Sequence, residues 1–322
     1  MRKQALWITA FALLLGCLAP AHSADSPLRI GVPVWVGWMP WWVAQEKGLF
    51  KKNGVAVELR NFPVQGDAVQ ALAGGSLDLS SVATNDILNV NARGPKASVV
   101  LLHDESAGAD MMIARGIDTP KGLKGQRIAV EVGGVSHFFL SKLLAQNGLS
   151  EKDVTVVNMA APDAGAAFAV KAINVAVTWE PFGSQGVKAG GKVLLSSKDT
   201  PGAIVDVLGA RNDVLKKRGD SVRRAIAAWF DALDYVQAHQ EESFKIMAKA
   251  SGVTVPEFAE MWQGVRIFTL EENKAALKPG TTPANFRATV KDMSKFMVEK
   301  KLLEKPVLAE SMVTADFLPS SK

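Results

Sequence analysis

The segment LRIGVPVWVGWMPWW at positions 28–42 decides the fold of this chain. It begins as a short apolar strand and passes into a helix at Pro40, because proline favours the first turn of a helix. In an α/β fold this connection lies at the carboxyl edge of the sheet, where ligands bind. Trp35 and Trp38 flank Gly37 in the connection itself, and we interpret them as aromatic walls of a pocket. The two tryptophans that follow lie within the predicted helix, and we assign them to the hydrophobic core.

The same alternation of short apolar strands and helices continues along the chain and predicts the α/β class. The predicted strands lie at 28–34, 55–61, 77–82, 98–103, 127–131, 154–159, 173–179, 192–195 and 205–209. The predicted helices between them lie at 40–47, 67–73, 85–91, 136–147, 161–172 and 181–189. Helices alone follow, at 221–239, 241–250, 256–263 and 285–300. This pattern is typical of parallel sheets with helices on their faces.

The strands fall into two blocks, and each block has enough strands for a sheet of its own. We therefore predict two lobes, joined by crossings near 111–114 and 205–207. Lobe 1 comprises 24–112 together with 206–322, because the final helices have no sheet of their own to cover. Lobe 2 comprises 113–205.

The amino terminus has the pattern of an export signal over residues 1–23. Arg2 and Lys3 precede an apolar run, and small residues follow it at the spacing of a cleavage site. Removal of this segment takes two of the 37 basic residues and none of the 32 acidic ones, which leaves a net charge of +3. The single cysteine, Cys17, lies in the same segment in a context that resembles a lipoprotein box, so a lipid anchor at Cys17 is the alternative to simple cleavage. We predict a periplasmic protein whose body has no thiol.

Several function classes are excluded by residues that the sequence lacks. The segment 186–193 has the spacing of a P-loop, but Val193 replaces the hydroxyl residue that binds Mg²⁺, and the segment leads from a helix into a strand. The histidines after the leader do not pair at metal-ligand spacing, and no basic stripe with interleaved aromatic residues is present. We therefore expect no catalytic activity, no metal or cofactor and no nucleic-acid partner.

Carboxylates near predicted strand ends form a second group of candidate site residues. Asp104, Glu131, Glu180 and Asp206 occupy such positions, and Trp179 lies beside one of them. Tryptophan faces and carboxylates are complementary to a cationic or amine-bearing solute, through cation–π attraction and charge-assisted hydrogen bonds. We expect Asp104, Glu180 and Asp206 to anchor such a group and Trp179 to supply a flat apolar face.

A third group follows the glycine turn after the strand at 127–131. Gly134, Ser136 and His137 lie at the predicted N-terminus of a helix, where free backbone N–H groups can meet the acceptor atoms of a ligand. The alternative for His137 is an incidental position in a helix cap. We include the turn among the candidate ligand contacts.

Four motifs carry a resemblance to a known family: WVGW at 35–38, EKGLF at 46–50, GDA with QALA within 66–73, and TWEP at 178–181. They resemble the periplasmic solute-binding proteins of ABC importers of the nitrate, sulfonate and taurine type, which include relatives of the thiamine-pyrimidine synthases. The resemblance extends from about residue 28 to 303. It implies a two-lobed type II periplasmic binding-protein fold, in which each lobe is a mixed sheet flanked by helices. It also implies delivery of a small-molecule solute to a membrane permease and its ATPase.

The resemblance implies further contacts to the solute. The loop after the first strand, the loop that carries Thr84 and Asn85, and the turn at 134–137 contribute to the pocket of such proteins, and acids resembling Asp206 can hold an amine. The second lobe departs from the family pattern at Asn174, which stands where an aspartate is usual. Asparagine can still close such a turn, so the departure bears on the ligand more than on the fold.

Three hypotheses for function follow. The first is a monomeric receptor for a small nitrogen- or sulfur-containing organic solute that bears an amine or guanidinium group or is taurine-like. The second is a receptor for an anion such as nitrate or an alkanesulfonate, held at the helix N-termini near Pro40 and Ser136. The third is an enzyme related to the thiamine-pyrimidine synthases, for which the body lacks cysteine and the export signal is wrong.

Overall fold

The computed structural model describes residues 26–94, 96–280 and 286–320, so the predicted leader with Cys17 lies outside the described residues. Within these ranges the strands form one sheet of six and one of five. The strands are β1 (Leu28–Pro33), β2 (Val57–Phe62), β3 (Leu79–Ala83), β4 (Ala97–Ser106), β5 (Asp110–Ala114), β6 (Arg127–Val130), β7 (Thr155–Asn158), β8 (Val175–Trp179), β9 (Lys192–Ser196), β10 (Val205–Arg211) and β11 (Val265–Ile267). Their order is β11-β4-β10-β3-β1-β2 in the first sheet and β7-β6-β8-β5-β9 in the second. The predicted two-lobed α/β fold is confirmed.

Helices cover both sheets. They are α1 (Pro40–Glu46), α2 (Leu49–Lys52), α3 (Gln65–Gly74), α4 (Thr84–Asn91), α5 (Val135–Gln146), α6 (Ala161–Ala169), α7 (Phe182–Lys188), α8 (Asn212–Ala238), α9 (Gln240–Ser251), α10 (Val255–Trp262), α11 (Leu270–Leu277) and α12 (Phe286–Glu299). None of the helices within the described ranges is long and apolar enough to cross a membrane.

The sheets are mixed, so the expectation of parallel sheets from the strand pattern alone is wrong in part. In the first sheet β1 runs parallel to β2 and β3, but β10 lies antiparallel between β3 and β4. The sequence pattern also missed β5, β11, α2 and α11. The chain leaves the first sheet after Ser106 and enters the second at Asp110, so the predicted crossing at 111–114 lies inside β5 instead. The chain returns to the first sheet between β9 and β10.

The core of the first lobe is built on residues 28–42. Trp41 is fully buried, and its ring centroid lies 4.8 Å from that of Trp229 in α8. Its Nε1 donates to Ser81 Oγ at 3.2 Å, which satisfies the one polar atom of the side chain. Trp42 is half-buried against the same core. The assignment of these two tryptophans to the core is therefore confirmed.

The two lobes also touch through α12, which packs against α5. The rings of Phe138 and Phe296 are 5.3 Å apart, and Lys142 Nζ lies 2.9 Å from Asp292 Oδ2. These contacts join the two lobes.

Candidate ligand site between the two sheets

Two carboxyl groups form the centre of the candidate site. Asp104 of β4 and Asp206 of β10 are opposite each other in the antiparallel pair. Their exposed fractions are 0% and 4%. Burial raises the pKa of Asp104 to about 7, and burial together with the charge of Asp104 raises the pKa of Asp206 well above its ordinary value.

The tryptophan loop closes over this pair. Trp35 Nε1 donates to Asp104 Oδ1 at 3.0 Å. Gly37 lies so close that a Cβ atom there would be 2.1 Å from Asp104 Oδ2, a distance that no side chain can occupy. Trp35 and Trp38 have ring centroids 6.5 Å apart, and their exposed fractions are 8% and 1%. Trp38 is thus packed within the core, and of the two only Trp35 makes the polar contact to the site.

The first turn of α4, which directly follows β3, also lies next to Asp206. Ala83 is opposite Asp206 in the β10–β3 pair, and its N–H donates to Asp86 Oδ2 at 3.1 Å. Asn85 Nδ2 donates to Asp86 Oδ1 at 3.0 Å, and Gln65 also bonds to this carboxyl. Burial raises the pKa of Asp86 to about 6, with a smaller contribution from the negative charge of Glu131 in the other lobe. Asp86 is therefore held at the end of β3, the strand paired with the one that carries Asp206.

Asp110, at the start of β5, adds a fourth carboxyl that the sequence pattern missed. It is opposite Trp179 in the β5–β8 pair, and its N–H donates to Ser106 Oγ at 3.0 Å. Burial raises its pKa to about 7. The signal existed in the sequence, since Asp110 directly precedes an apolar run. The criterion was an acid near the end of a predicted strand, and the sequence pattern did not predict β5, which is antiparallel to its neighbours β8 and β9.

Two predicted site residues have other partners. Both oxygens of Glu180 accept hydrogen bonds from Ser184, at 2.6 Å from the hydroxyl and 3.1 Å from the backbone N–H, so Glu180 caps α7. The ring of His137 lies against Phe296 of α12, with Nε2 3.0 Å from Glu151 Oε1. These contacts favour the cap interpretation of each residue, and a direct contact to solute stays a prediction for both.

Thr84 is the first residue of α4, and Gly134 and Ser136 lie at the start of α5. Thr84 Oγ1 donates to the carbonyl of Val205 at 2.6 Å and so fixes α4 to the strand that carries Asp206. Gly134 caps α5, and a Cβ there would lie 3.8 Å from the carboxyl carbon of Glu131. Thr84 is thus a positioning residue, whereas Ser136 is buried with its hydroxyl unpartnered.

Ser136 is one of five candidate-site residues or neighbours with a buried polar atom that has no hydrogen-bond partner among the described residues. These atoms are Trp38 Nε1, Asn85 Oδ1, Asp104 Oδ2, Asp110 Oδ2 and Ser136 Oγ. Buried polar atoms are nearly always paired, so each of these atoms is a candidate contact for a ligand or ordered water. Four of the five are oxygens, which favours a ligand that donates hydrogen bonds.

The arrangement does not suit a metal ion. No group of three histidine, cysteine, aspartate or glutamate side chains in the part of the chain that the structure describes is close enough to hold one. The four aspartates of the cluster also form no ion pair with a basic side chain of the described residues. The site therefore combines buried acids and aromatic rings without a resident counter-ion.

Two α/β lobes with unpaired polar groups converging between them define the class of two-lobed solute-binding proteins. Residues 21–252 match the family model described as the NMT1-like family, and the chain belongs to this family. A Brucella abortus (strain 2308) protein named as a binding protein is 31% identical over 253 residues, which cover 74% of this chain and 76% of that protein. The taurine-binding periplasmic protein of Escherichia coli (strain K12) is 26% identical over 298 residues, covering 89% and 91%.

Among solved structures, the periplasmic aliphatic sulphonate binding protein SsuA of Escherichia coli superposes with a TM-score of 0.76 at 22% identity. The alignment covers 92% of this chain and 94% of SsuA. At this identity the similarity establishes the fold. It confirms the periplasmic binding-protein fold that the sequence motifs implied.

Proposed function

We propose that this protein captures a small organic solute that bears an ammonium or guanidinium group, in the gap between its two sheets. The observation that carries the proposal is the Asp104–Asp206 pair, two buried carboxyl groups that face each other without a basic partner among the described residues. A cation bound between the two carboxylates gains charge-assisted hydrogen bonds to both. Trp35 and Trp179 add apolar faces beside it.

The general function is that of the solute-binding component of an ABC import system. A leader over residues 1–23 would export the protein to the periplasm, and a lipid anchor at Cys17 is the alternative to a free form. The partners are then the permease and the ATPase of the importer, and the receptor acts as a monomer. In this role the protein binds the solute and catalyses no reaction. The fold alone does not distinguish a receptor from an enzyme, so the distinction rests on the residues of the site.

Capture is coupled to closure of the gap. A solute shifts the protein toward the closed form only as far as it binds that form better than the open one. The site residues Asp104, Asp206 and Asp110 are buried in this conformation, and contacts between α5 and α12 join the lobes. We infer that this is the closed form, and that the permease recognises it.

A thermal-shift and calorimetric series tests the proposal on the mature protein. Methylguanidinium and 1-aminobutane are compared with butanesulfonate and nitrate at pH 7.5. The cations are expected to raise the melting temperature with concentration, since a ligand of the folded state stabilises it by mass action. Asp206→Asn should abolish the shift, whereas Asp118→Asn, which changes a carboxylate with an 89% exposed side chain, should keep it. A shift with the anions alone would overturn the proposal.

An anionic solute is the second candidate. It is favoured by the unpaired Ser136 hydroxyl at the N-terminus of α5, a helix of 12 residues. It is disfavoured by the buried Asp104, Asp110 and Asp206 and the half-buried Asp86, because their negative charges would repel an anion. The enzyme alternative would be supported by a cofactor or metal in the purified protein, as detected by absorbance and metal analysis.

A further inference from the structure

We propose that Ser106 and Ser197 are positioning residues, whose paired hydroxyl groups fasten the two crossings between the lobes to each other and hold Asp110 in place for the solute. Neither serine touches the solute in this proposal. The inference rests on the proposed function, because it assigns what holds one carboxyl group of that site. The first crossing is the chain between β4 and β5, at 107–109, and the second is the chain between β9 and β10, at 197–204.

The two hydroxyl groups join the ends of strands that belong to different sheets. Ser106 is the last residue of β4 in the first sheet, and Ser197 directly follows β9 in the second. Their Oγ atoms are 2.8 Å apart, so one hydroxyl donates a hydrogen bond to the other. The exposed fractions of the two residues are 2% and 1%. A hydrogen bond that is shielded from water therefore connects the two lobes at the crossings.

Each hydroxyl also accepts a backbone N–H from the first crossing or its end. Gly108 N–H donates to Ser197 Oγ at 2.6 Å, and Asp110 N–H donates to Ser106 Oγ at 3.0 Å. Gly108 has a φ of 130°, a conformation that favours glycine, so the turn at this point depends on the absence of a side chain. The side chain of the second crossing thus holds the backbone of the first.

Every backbone N–H of the segment 106–110 has a hydrogen-bond partner. The first donates to the carbonyl of Ile204 in the second crossing at 3.1 Å. Those of Ala107 and Ala109 donate to the carbonyl of Gly264, at 2.8 and 3.0 Å. The remaining two donate to the serine hydroxyls. Since a buried N–H without an acceptor is costly, loss of either hydroxyl releases one fixed point of the crossing.

Ser106 connects this network to the candidate site. Successive side chains of a strand point to opposite faces, so Ser106 shares a face of β4 with Asp104, two residues before it. Its Oγ holds the N–H of Asp110, whose buried Oδ2 has no partner among the described residues. Asp104 belongs to the first sheet and Asp110 begins the first strand of the second. The Ser106 hydroxyl therefore helps to set the position of one site carboxyl relative to the other across the two lobes.

A misplaced Asp110 acts on the complex after the solute has entered. Carboxyl groups from both lobes contact the solute together only when the lobes are closed, so their relative position affects the lifetime of the complex. The rate of encounter depends on the open form and is not changed. Most changes within one binding surface act in this way, on the dissociation rate constant.

Stopped-flow tryptophan fluorescence with 1-aminobutane on the mature protein at pH 7.5 measures both rate constants. Ser106→Ala and Ser197→Ala are each expected to raise the dissociation rate constant about tenfold and to change the association rate constant by about twofold at most. Ser294→Ala is the matched control, because Ser294 is 1% exposed and its Oγ also accepts a backbone N–H, from Val307 at 2.9 Å, but it lies in α12. This control should lose similar stability in urea and keep both rate constants.

A double-mutant cycle tests whether Ser106 acts through Asp110. Asp110→Asn removes the charge that the Ser106 hydroxyl holds in place, so the addition of Ser106→Ala to it should raise the dissociation rate constant by about twofold at most. Full additivity of the two changes would overturn the positioning role. Parental rate constants in Ser106→Ala and Ser197→Ala, with a loss of stability like that of Ser294→Ala, would also overturn it.

The proposed function and the role of the serines fail in different ways. Binding of butanesulfonate with no binding of 1-aminobutane would overturn the cationic solute. The rate constants of the serine variants are then measured with butanesulfonate. An unchanged dissociation rate constant for that ligand would overturn the role of the serines as well, whereas an increase of about tenfold would support it for the anionic solute.

Discussion

Trp35 donates its indole N–H to Asp104 across 69 residues of sequence, with 3.0 Å between Nε1 and Oδ1. This bond ties the tryptophan loop of the first connection to the buried carboxyl pair. It stabilises the charged form of Asp104 and therefore opposes the effect of burial on the pKa of Asp104. The tryptophan loop and the carboxyl pair are thus connected by a direct hydrogen bond.

Replacement of Trp35 by phenylalanine keeps a ring in the loop and removes the N–H donor. We expect Trp35→Phe to weaken cation binding by about tenfold, since a hydrogen bond to a charged group contributes about 1.5 to 3 kcal/mol. Isothermal titration with 1-aminobutane measures the change. Trp42→Phe is the matched control, because the Trp42 indole N–H has no partner among the described residues and lies in α1. Equal losses in both variants would argue against the Trp35 contact.

Asp206→Asn should stabilise the free protein at pH 8 while it abolishes binding. The folded state raises the pKa of Asp206, so it keeps a proton that the unfolded state releases above about pH 4. The unfolded state therefore binds fewer protons in this range, and the free energy of unfolding falls as pH rises. Asparagine removes the buried charge, with an expected gain of about 1 to 3 kcal/mol at pH 8.

Urea unfolding at pH 5 and pH 8 measures this effect. The variant should gain stability over the parent at pH 8 and show little difference at pH 5, where the parent is protonated. Asp118→Asn, which lies in an exposed ion pair, should change stability little at both values. A loss of stability in Asp206→Asn at pH 8 would mean that Asp206 has a stabilising cationic partner.

The sequence predicted where the candidate site lies better than it predicted which residues belong to it. Trp35 and Asp104 directly follow predicted strands and Asp206 lies near the start of one, and the structure brings the three together. Asp110 and Asp86 were missed because strand direction and side-chain direction depend on tertiary pairing. Asp110 reaches the edge only because β5 is antiparallel to β8, and Asp86 only because its side chain folds back to Ala83.

The criterion of position near a strand end also selected residues whose side chains have other partners in the structure. Glu180 has the same sequence context as the site acids, but Ser184 lies four residues further on, one helical turn away. A hydroxyl at that spacing is a signal for a helix cap, and we gave it no weight. His137 was selected for its position in the first turn of α5. Neighbouring side chains in a helical turn point in different directions, so that position alone does not place its ring against a ligand. Local spacing identifies the helix start, whereas packing decides which side chain faces the ligand.

Gly37→Ala should disrupt the site through sterics alone. The added methyl group would lie 2.1 Å from Asp104 Oδ2, so the loop or the carboxylate has to move. We expect a destabilisation of about 1 to 3 kcal/mol and loss of cation binding. Thermal unfolding and calorimetry measure the two effects. Gly66→Ala is the control, since a Cβ at Gly66 meets no atom within 4 Å and alanine favours the helix. Retained affinity in Gly37→Ala would show that the loop does not hold Asp104 in the binding geometry.

The pH dependence of affinity separates a cationic from an anionic solute without any mutation. The pKa values of Asp104 and Asp110 are about 7 and that of Asp86 about 6, so protons compete with a cation below neutral pH. The affinity for 1-aminobutane should therefore rise between pH 5.5 and pH 8, by up to about tenfold per pH unit for each proton displaced. Calorimetry in two buffers of different ionisation enthalpy counts those protons directly. An anion held at the N-terminus of α5 would show the opposite slope, because ionisation of the aspartates repels it, and a flat profile would place the bound charge away from the acidic cluster.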